Sequence, residues 1–252
     1  MSSLINELTK RFAPDTVHLR TKAATIHWSV VDADEKKPAT KTSEVVCADG
    51  ERINANHVIV AVPLGYLKRN AHSMFQPALP AVKCDAIQRM GYGTVAKVFF
   101  CYKSPPWDHP VSFIWPGSSK TMFPNKLKVT STRPNILRIA SIGQNLEEIP
   151  ERVLVQEVTR ILSRLLKTDV PIPDRIVKTN WHGDSLFCGT HPYLNTASRP
   201  RDIKTLEMPL FSPNKTPLVL FAGDYTHSNY GCLMHAARSS GLREARRIGY
   251  IY

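Results

Sequence analysis

The sequence lacks the features that would assign it to a membrane or secreted class. No apolar run approaches the roughly 20 residues that a membrane-spanning helix needs. The longest, "HVIVAVPLGYL", is short and contains Pro63. The first residues, "MSSLINELTK", do not show the basic-then-apolar order of a secretory signal. We therefore expect a globular protein with a cytoplasmic location and no membrane partner.

Cysteine is sparse and histidine is scattered. The five cysteines are odd in number, lie far apart and form no CxxC pair. The nine histidines include no HExxH motif and no cysteine-histidine cluster at ligand spacing. The sequence therefore predicts neither a disulfide framework nor a metal site.

Acidic residues are fewer than basic ones, which gives a net charge of +12. Such a charge attracts polyanions, so a nucleic-acid-associated protein is one alternative. The basic residues are dispersed, however, and the cluster "REARR" at 243–247 is interpreted as the solvated side of a helix. We expect no nucleic-acid partner.

Periodicity predicts a mixed α/β chain. Helices are expected at "SLINELTKRF", "PAVKCDAIQRM" and "PERVLVQEVTRILSRLLK". The segment "INANHVIVAVP" is interpreted as one buried strand, and about 20 polar residues before the closing strand as a linker. The third helix has its apolar residues on one face. They are Leu154, Val158, Ile161, Leu162 and Leu165.

Lys97 stands out within the strand "TVAKVFFCYK". Alternation places Val95, Lys97 and Phe99 on one face and Ala96 and Val98 on the other, so the lysine has apolar neighbours on both sides. Such a lysine either extends its ammonium to a nearby surface or is desolvated and can hold a water or a reactive atom. Spacing alone leaves both interpretations open.

The stretch "GYGTVA" at 91–96 matches the dinucleotide pattern GxGxxG/A by its letters alone. That fingerprint follows a strand and opens a helix, whereas here a helix precedes and a strand follows. We interpret it as a turn, so the sequence offers no glycine loop that would hold a phosphate.

The closing stretch "LVLFAGDYTHSNYGCLMHAARSSG" predicts a buried strand, a polar loop and a helix. Gly223 allows close approach to the backbone, and Asp224 can accept hydrogen bonds from sugar or ribitol hydroxyls. The helix expected to begin near Gly231 offers free N–H groups and a positive dipole end. A binding site for an electron-rich, hydroxylated ligand and an ordinary strand-to-helix connection both fit this pattern.

Five segments in one order resemble the flavin-containing amine oxidases, and within them the spermine and polyamine oxidases. They are "VHLRTKAATIHW", "NANHVIVAVPLGYLK", "MGYGTVAKVFFCYKSPPW", "TNWHGDSLFCGTHPY" and "LFAGDYTHSNYGCLMHAARSSGLREARRI". The resemblance implies FAD as the cofactor, a polyamine as the substrate and dioxygen as the acceptor. The products would be an aldehyde, an amine and hydrogen peroxide.

The resemblance also implies roles for single residues. Lys97 would hold a water near the reactive flavin nitrogen, and His191 and Tyr193 would belong to the substrate pocket. The residues that would contact the cofactor are Ala23, Trp181, Gly223, Asp224, Cys232 and Leu233. Asp224, Ala236 and His191 depart from the family's glutamate, glycine and tyrosine.

The resemblance implies the C-terminal part of a two-domain flavoenzyme. Residues 1–66 and 196–252 would be segments of the FAD domain and 67–195 the substrate domain. No N-terminal GxGxxG unit is recognised, so we expect weak FAD binding by the chain alone, and a complementary N-terminal half or a second copy as a partner. A non-catalytic relative that serves as a binding or regulatory module is the second alternative.

Overall fold

The computed structural model describes residues 2–30, 42–117, 123, 125–143, 146–229 and 231–251. The chain forms two compact units. The first contains Met1–Val58, His72–Leu79 and Pro209–Leu220, and the second contains Ile59–Ala71, Pro80–Met208 and Phe221–Tyr252. The predicted limits of the FAD-domain segments stay a prediction.

Helices and strands alternate irregularly along the described residues. The helices are α1 (Ser2–Thr9), α2 (Leu64–Met74), α3 (Ala81–Arg89), α4 (Glu151–Leu166), α5 (Pro200–Glu207) and α6 (Met234–Gly249), with a 3-10 turn at Asp224–Thr226. The strands are β1 (Ala23–Val30), β2 (Thr42–Cys47), β3 (Arg52–Ala55), β4 (Val58–Val60), β5 (Phe75–Gln76), β6 (Gly91–Gly93), β7 (Val95–Cys101), β8 (Ser112–Trp115), β9 (Leu127–Arg133), β10 (Ile136–Ile142), β11 (Arg175–Lys178), β12 (His191–Tyr193), β13 (Leu210–Phe211) and β14 (Pro217–Phe221).

The first unit is built on a four-stranded sheet in the order β3-β2-β1-β5. Strands β1 and β5 are parallel and place Ile26 opposite Phe75, both almost fully buried. The indole N–H of Trp28 donates a hydrogen bond to the Pro77 carbonyl at 2.7 Å, which ties the two strands together beyond their short ladder.

The second unit is built on a five-stranded antiparallel sheet in the order β11-β7-β10-β9-β8. One face of β7 carries Ala96, Val98 and Phe100, all fully buried. Helix α4 supplies Leu154, Val158, Ile161 and Leu162 to the same core. The helix was predicted correctly.

Leu165 belongs to the apolar face predicted for α4 but is not part of its buried stripe. It lies one residue before the end of the helix, outside the core cluster, and its side chain is 47% exposed. The buried stripe of α4 therefore ends at Leu162.

Two sequence interpretations around strands need correction. The segment "INANHVIVAVP" forms two strands, because the polar residues Asn56 and His57 separate the exposed strand β3 from β4. Residues Gly91–Gly93 form strand β6, which pairs with β12, and are not a turn. The helix before and the strand after this stretch are as expected, so it is not a dinucleotide loop.

The predicted polar linker contains helix α5. The helix has few apolar residues, and it is stabilised by hydrogen bonds from residues on other elements. The guanidinium of Arg89 on α3 donates to both carboxylate oxygens of the fully buried Asp202, at 3.1 and 2.6 Å. The same carboxylate accepts a bond from the Arg199 N–H at 2.7 Å and so caps the first turn.

The "REARR" cluster is a solvated surface only in part, since Ala245 and Arg246 are exposed but the other three residues are not. Glu244 is fully buried and accepts bonds from the guanidinium groups of Arg243 and Arg247. Arg243 also donates to the carbonyls of Phe221 and Thr226, at 2.9 and 3.1 Å. This pairing fixes α6 against the 3-10 turn, so these charges serve folding.

Candidate active site

Lys97 lies in the middle of β7, on the face of the sheet opposite the α4 core. Its backbone is paired on both sides: it lies opposite Ala140 on β10, and it exchanges hydrogen bonds with Thr179 just beyond β11. The side chain is half-buried, so the lysine is neither enclosed in the core nor fully solvated. Along this face Ile142, opposite Val95, is 76% exposed, which leaves an open apolar surface beside the lysine.

A cleft of about 370 Å³ opens at the start of β7. It brings together three residues predicted for the site, His191, Tyr193 and Cys232. Its other lining residues are Gly93, Thr94, Val95, Ile142, Gly143 and Pro192. None of these described lining residues is acidic, and the walls fit the methylene portion of a substrate better than its charged groups.

Strands β6 and β12 build the wall of this cleft. Tyr193 lies opposite Gly91, and a Cβ atom at Gly91 would come within 2.6 Å of the Tyr193 ring. Glycine is required there because the ring packs directly on the backbone of β6. The first glycine of "GYGTVA" therefore serves this packing and no phosphate.

Gly223 and Asp224 follow the buried strand β14, as expected. Gly223 has φ of 138°, and its N–H donates to the Ser240 hydroxyl at 2.8 Å. A Cβ there would come within 2.5 Å of the Tyr225 ring, so the glycine is explained by internal packing.

Asp224 is half-buried beside this glycine. Burial raises the pKa of its carboxyl, whereas the Tyr225 N–H and the nearby His191 favour the charged form. Asp224 in turn adds to burial in raising the pKa of the Cys232 thiol. Asp224, His191 and Cys232 therefore form one electrostatic group at the cleft.

Cys232 and Leu233 lead into α6, which begins at Met234 and not near Gly231 as predicted. Cys232 has φ of 68°, and its thiol donates to the Pro192 carbonyl. Leu233 is the N-cap residue, and no side chain among the described residues caps the helix. The positive end of a 16-residue helix therefore begins next to the cleft.

Trp181 lies in the loop between β11 and β12. Its side chain is 40% exposed and meets the Phe187 ring edge-on, with the centroids 4.9 Å apart. Its carbonyl accepts a bond from the Gly189 N–H at 2.9 Å. The loop returns to the cleft through Thr190, whose hydroxyl bonds to Gly93 and Val95.

Ala23 lies in β1, opposite Cys47, and belongs to the first unit. The other predicted site residues belong to the second unit. The potential ligand atoms of Cys47, Asp49 and Glu51 lie within 4.8 Å of one another, but both acids are exposed, so the expectation of no metal site stays a prediction.

The residues of the second unit fit part of an FAD molecule. Asp224 can accept bonds from ribityl hydroxyls, and the start of α6 favours the electron-rich edge of a flavin ring. In the part of the chain that the structure describes, no glycine-rich turn joins a strand to a helix in the way a pyrophosphate requires. The fit therefore covers the flavin and ribityl side of the cofactor.

Sequence reasoning missed Thr179 and Glu147, which contact the backbone around Lys97 and Trp181. The hydroxyl of Thr179 accepts the Lys97 N–H at 3.0 Å, and the Glu147 carboxylate accepts the Thr179 hydroxyl at 2.6 Å. Both residues look like ordinary surface polar residues in the sequence. Only the position of Thr179 directly after a strand could have indicated its pairing.

Comparisons with known proteins show the family to which the chain is similar. The family model "Flavin containing amine oxidoreductase" matches residues 1–249. "Protein anon-37Cs" of Drosophila simulans is 33% identical over 221 residues, 81% of this chain and 44% of that protein. The human "Peroxisomal N(1)-acetyl-spermine/spermidine oxidase" is 28% identical over 269 residues, 97% of this chain and 53% of the relative.

A solved structure of an engineered putrescine oxidase covers 100% of this chain and 53% of its own, with a TM-score of 0.71 at 16% identity. This likeness confirms the predicted mixed α/β fold. The chain spans about half the length of the curated relatives it matches. No helix among the described residues is long and apolar enough to cross a membrane.

The resemblance found in the five sequence segments is therefore confirmed, and so is FAD as the cofactor that goes with it. The roles predicted for single site residues stay predictions. The chain belongs to the flavin-containing amine oxidoreductase family and is similar to its polyamine oxidases.

Proposed function

We propose that the chain forms the substrate side and the flavin-ring side of an FAD-dependent polyamine oxidase. One observation carries the proposal. A mostly apolar cleft with His191, Tyr193 and Cys232 in its lining adjoins the start of α6 and the sheet face that bears Lys97. A flavin edge at the helix start and a substrate methylene chain in the cleft would meet at this point.

When bound, FAD would accept a hydride from the carbon beside the amine nitrogen and pass the electrons to dioxygen, which yields hydrogen peroxide. The resulting imine takes up water and gives an aldehyde and an amine. Lys97 donates a hydrogen bond to a water at the reacting end of the cleft. Its three ammonium protons allow it to bind that water and still contact a neighbouring acceptor.

Asp224 accepts hydrogen bonds from the hydroxyl groups of the cofactor chain. His191 and Tyr193 border the substrate, and Val95 and Ile142 line its apolar stretch. Because none of the described lining residues is acidic, we propose that the groups that select a polycation come from a complementary N-terminal half. A second copy of the chain is the alternative source.

The first experiment measures protein-bound flavin. The chain is purified alone and after co-production with the N-terminal half of the human relative, incubated with FAD and passed through gel filtration. Retained flavin absorbance, followed by peroxide release from spermine, spermidine, N1-acetylspermine or putrescine, is the expected result for the complemented protein. Absence of flavin from both samples would favour the non-catalytic relative, and the departures Asp224, His191 and Ala236 would then explain the loss.

A matched pair of variants separates the catalytic lysine from general charge effects. Lys97→Met should lower kcat at least tenfold while flavin is retained, since general positioning and acid–base groups contribute about 10²–10⁴-fold. Lys103→Met removes a lysine that follows the far end of β7 and is 87% exposed, and it should leave turnover unchanged. Equal effects of the two variants would contradict the role of Lys97.

The cytoplasmic location stays a proposal. Fluorescence imaging of a tagged chain in its own cells would test it. Signal confined to another compartment would overturn it.

A further inference from the structure

Glu147 lies in the loop between β10 and α4, and its carboxylate binds the segment that follows β11. One carboxylate oxygen accepts bonds from the Thr179 hydroxyl at 2.6 Å and the Trp181 N–H at 3.0 Å. The other accepts the His182 N–H at 2.9 Å. The ammonium of Lys178 adds bonds to the carbonyls of Glu147 and Ile149, each at 3.0 Å. One carboxylate thus accepts three hydrogen bonds from residues 179–182, the segment directly after β11.

The bond to Thr179 extends to Lys97. The Thr179 hydroxyl has a single proton, and its distance to the Glu147 carboxylate is 2.6 Å against 3.3 Å to the Lys97 carbonyl. The proton therefore goes to the carboxylate, because bonds to charged acceptors are shorter and stronger. The hydroxyl oxygen then remains an acceptor for the Lys97 N–H at 3.0 Å. The Thr179 N–H donates to the Lys97 carbonyl at 3.0 Å and completes the pair.

The Glu147 carboxylate also binds the backbone N–H groups of Trp181 and His182. Since 40% of the Trp181 side chain is exposed, packing alone does not fix its direction. The hydrogen bond from the backbone N–H of Trp181 to Glu147, together with the contact to the Phe187 ring, fixes the path of this loop. His182, held by the same carboxylate, has its ring nitrogen 3.4 Å from the hydroxyl of Thr94, a residue of the cleft wall.

We infer that Glu147 is a positioning residue that fixes Lys97 and Trp181 through hydrogen bonds to Thr179 and to the loop N–H groups. The inference rests on the proposed function for the roles of Lys97 and Trp181. The geometry itself requires no cofactor. A carboxylate that merely stabilised a surface loop would have no bond leading to the backbone of Lys97.

Amide hydrogen exchange in the purified chain tests the linkage without flavin. In Glu147→Ala the amides of Lys97, Trp181 and His182 should exchange at least tenfold faster, because hydrogen bonds to charged groups contribute about 1.5–3 kcal/mol. Amides in the centre of β10 should keep their rate. Glu148→Ala, which removes the adjacent exposed carboxylate, should change none of them.

Conservative variants sharpen the test. Glu147→Gln keeps one acceptor oxygen but places an NH₂ group at the other position, so exchange should increase less than in Glu147→Ala. Thr179→Ser keeps the hydroxyl and should preserve the Lys97 amide, whereas Thr179→Val should expose it. Uniform acceleration of every amide in the sheet would mean general destabilisation and would overturn the inference, as would unchanged exchange at the three amides.

The flavin-loaded, complemented protein supplies the second readout. Glu147→Ala should lower kcat about tenfold or more with a KM within a factor of two or so, because the lysine and the tryptophan lose their positions while the cleft walls stay. Unaltered kcat would contradict the positioning role. If the unsubstituted protein retains no flavin while the exchange pattern appears, the proposed function fails and the hydrogen-bonded linkage stands.

Discussion

Replacing Lys83 with methionine should destabilise the second unit, by an amount that grows with pH. The side chain of Lys83 on α3 is 3% exposed. Its ammonium donates to the carbonyls of Thr205, Leu206 and Met208 at the end of α5, at 2.7, 3.0 and 2.7 Å. It also lies 4.0 Å from the centre of the Phe221 ring. Methionine fills a similar volume but leaves these carbonyls without their donor.

The magnitude follows from two effects. Leaving buried acceptors unsatisfied costs about 1–3 kcal/mol for each group, and partial hydration of a helix end reduces the sum, so we expect about 3 kcal/mol near pH 7. Burial lowers the pKa of Lys83 to about 7 from 10.5, and the charge of Glu244 opposes that shift. Below pH 7 Lys83 is protonated in both the folded and the unfolded chain, so the cost of burying its charge fully reduces the stability of the unsubstituted protein.

Between pH 7 and the unfolded pKa, the unfolded chain binds one proton more than the folded chain. Stability of the unsubstituted protein therefore rises with pH, by at most about 1.4 kcal/mol per unit. Methionine cannot titrate, so its disadvantage should grow by about 2 kcal/mol from pH 7 to pH 9. The dipole of α5 and the Phe221 ring favour the charged ammonium in the folded chain. They therefore limit how much the penalty of Lys83→Met can increase with pH.

Urea unfolding followed by circular dichroism at pH 6, 7, 8 and 9 measures this difference. Lys204→Met removes a lysine from α5 whose side chain is 67% exposed, and should change stability by about 0.5 kcal/mol or less at each pH. A penalty for Lys83→Met that did not change with pH would refute the reasoning. It would mean that the three carbonyls hold the lysine charged in the folded state up to its ordinary pKa.

Three further predictions concern the supports of the site. Arg89→Met should lower the free energy of unfolding by about 3–5 kcal/mol, because it leaves the buried Asp202 carboxylate without its cation, and denaturant titration would show it. Gly223→Ala should cost more than about 1 kcal/mol, since φ of 138° and the Tyr225 ring both oppose a Cβ; an unchanged melting temperature would contradict this. Asp224→Ala should weaken flavin retention about tenfold in the complemented protein, measured by absorbance after gel filtration, with normal retention as the refuting result.

Local periodicity was sufficient for the elements that bury one regular face. The apolar stripe of α4 predicted its core residues, and the alternation in β7 predicted that Lys97 and Val98 point to opposite faces. The order of closing strand, loop and helix was also predictable, because a buried apolar run followed by a polar, glycine-containing loop carries local signals. Each of these features depends on residues close in sequence.

Helix α5 and the buried Glu244 were not predictable in this way. Both lie in polar stretches. Helix α5 depends on a distant partner, Arg89 for Asp202, 113 residues apart, whereas Glu244 is paired by Arg243 and Arg247 of its own helix. Charged residues read as solvated surface unless their partners are known. The start of α6 was misplaced because the backbone of Cys232 has a positive φ, which delays the helix beyond Gly231.

The two cations of α3 explain how a polar helix becomes a fixed part of the second unit. Arg89 binds the acid in the first turn of α5, and Lys83 binds the carbonyls at its last turn. At the N-terminal end the Asp202 carboxylate offers Arg89 a negative partner, and at the C-terminal end the free carbonyls offer one to Lys83. Helix α5 is therefore held at both ends although few of its side chains are apolar. Glu207 at the end of α5 lies 3.8 Å from Arg243, and Arg243 bonds to the turn that begins at Asp224. A loss of either α3 cation should therefore reach Asp224 through this chain of bonds, and flavin retention should fall more in Arg89→Met than its stability alone would predict.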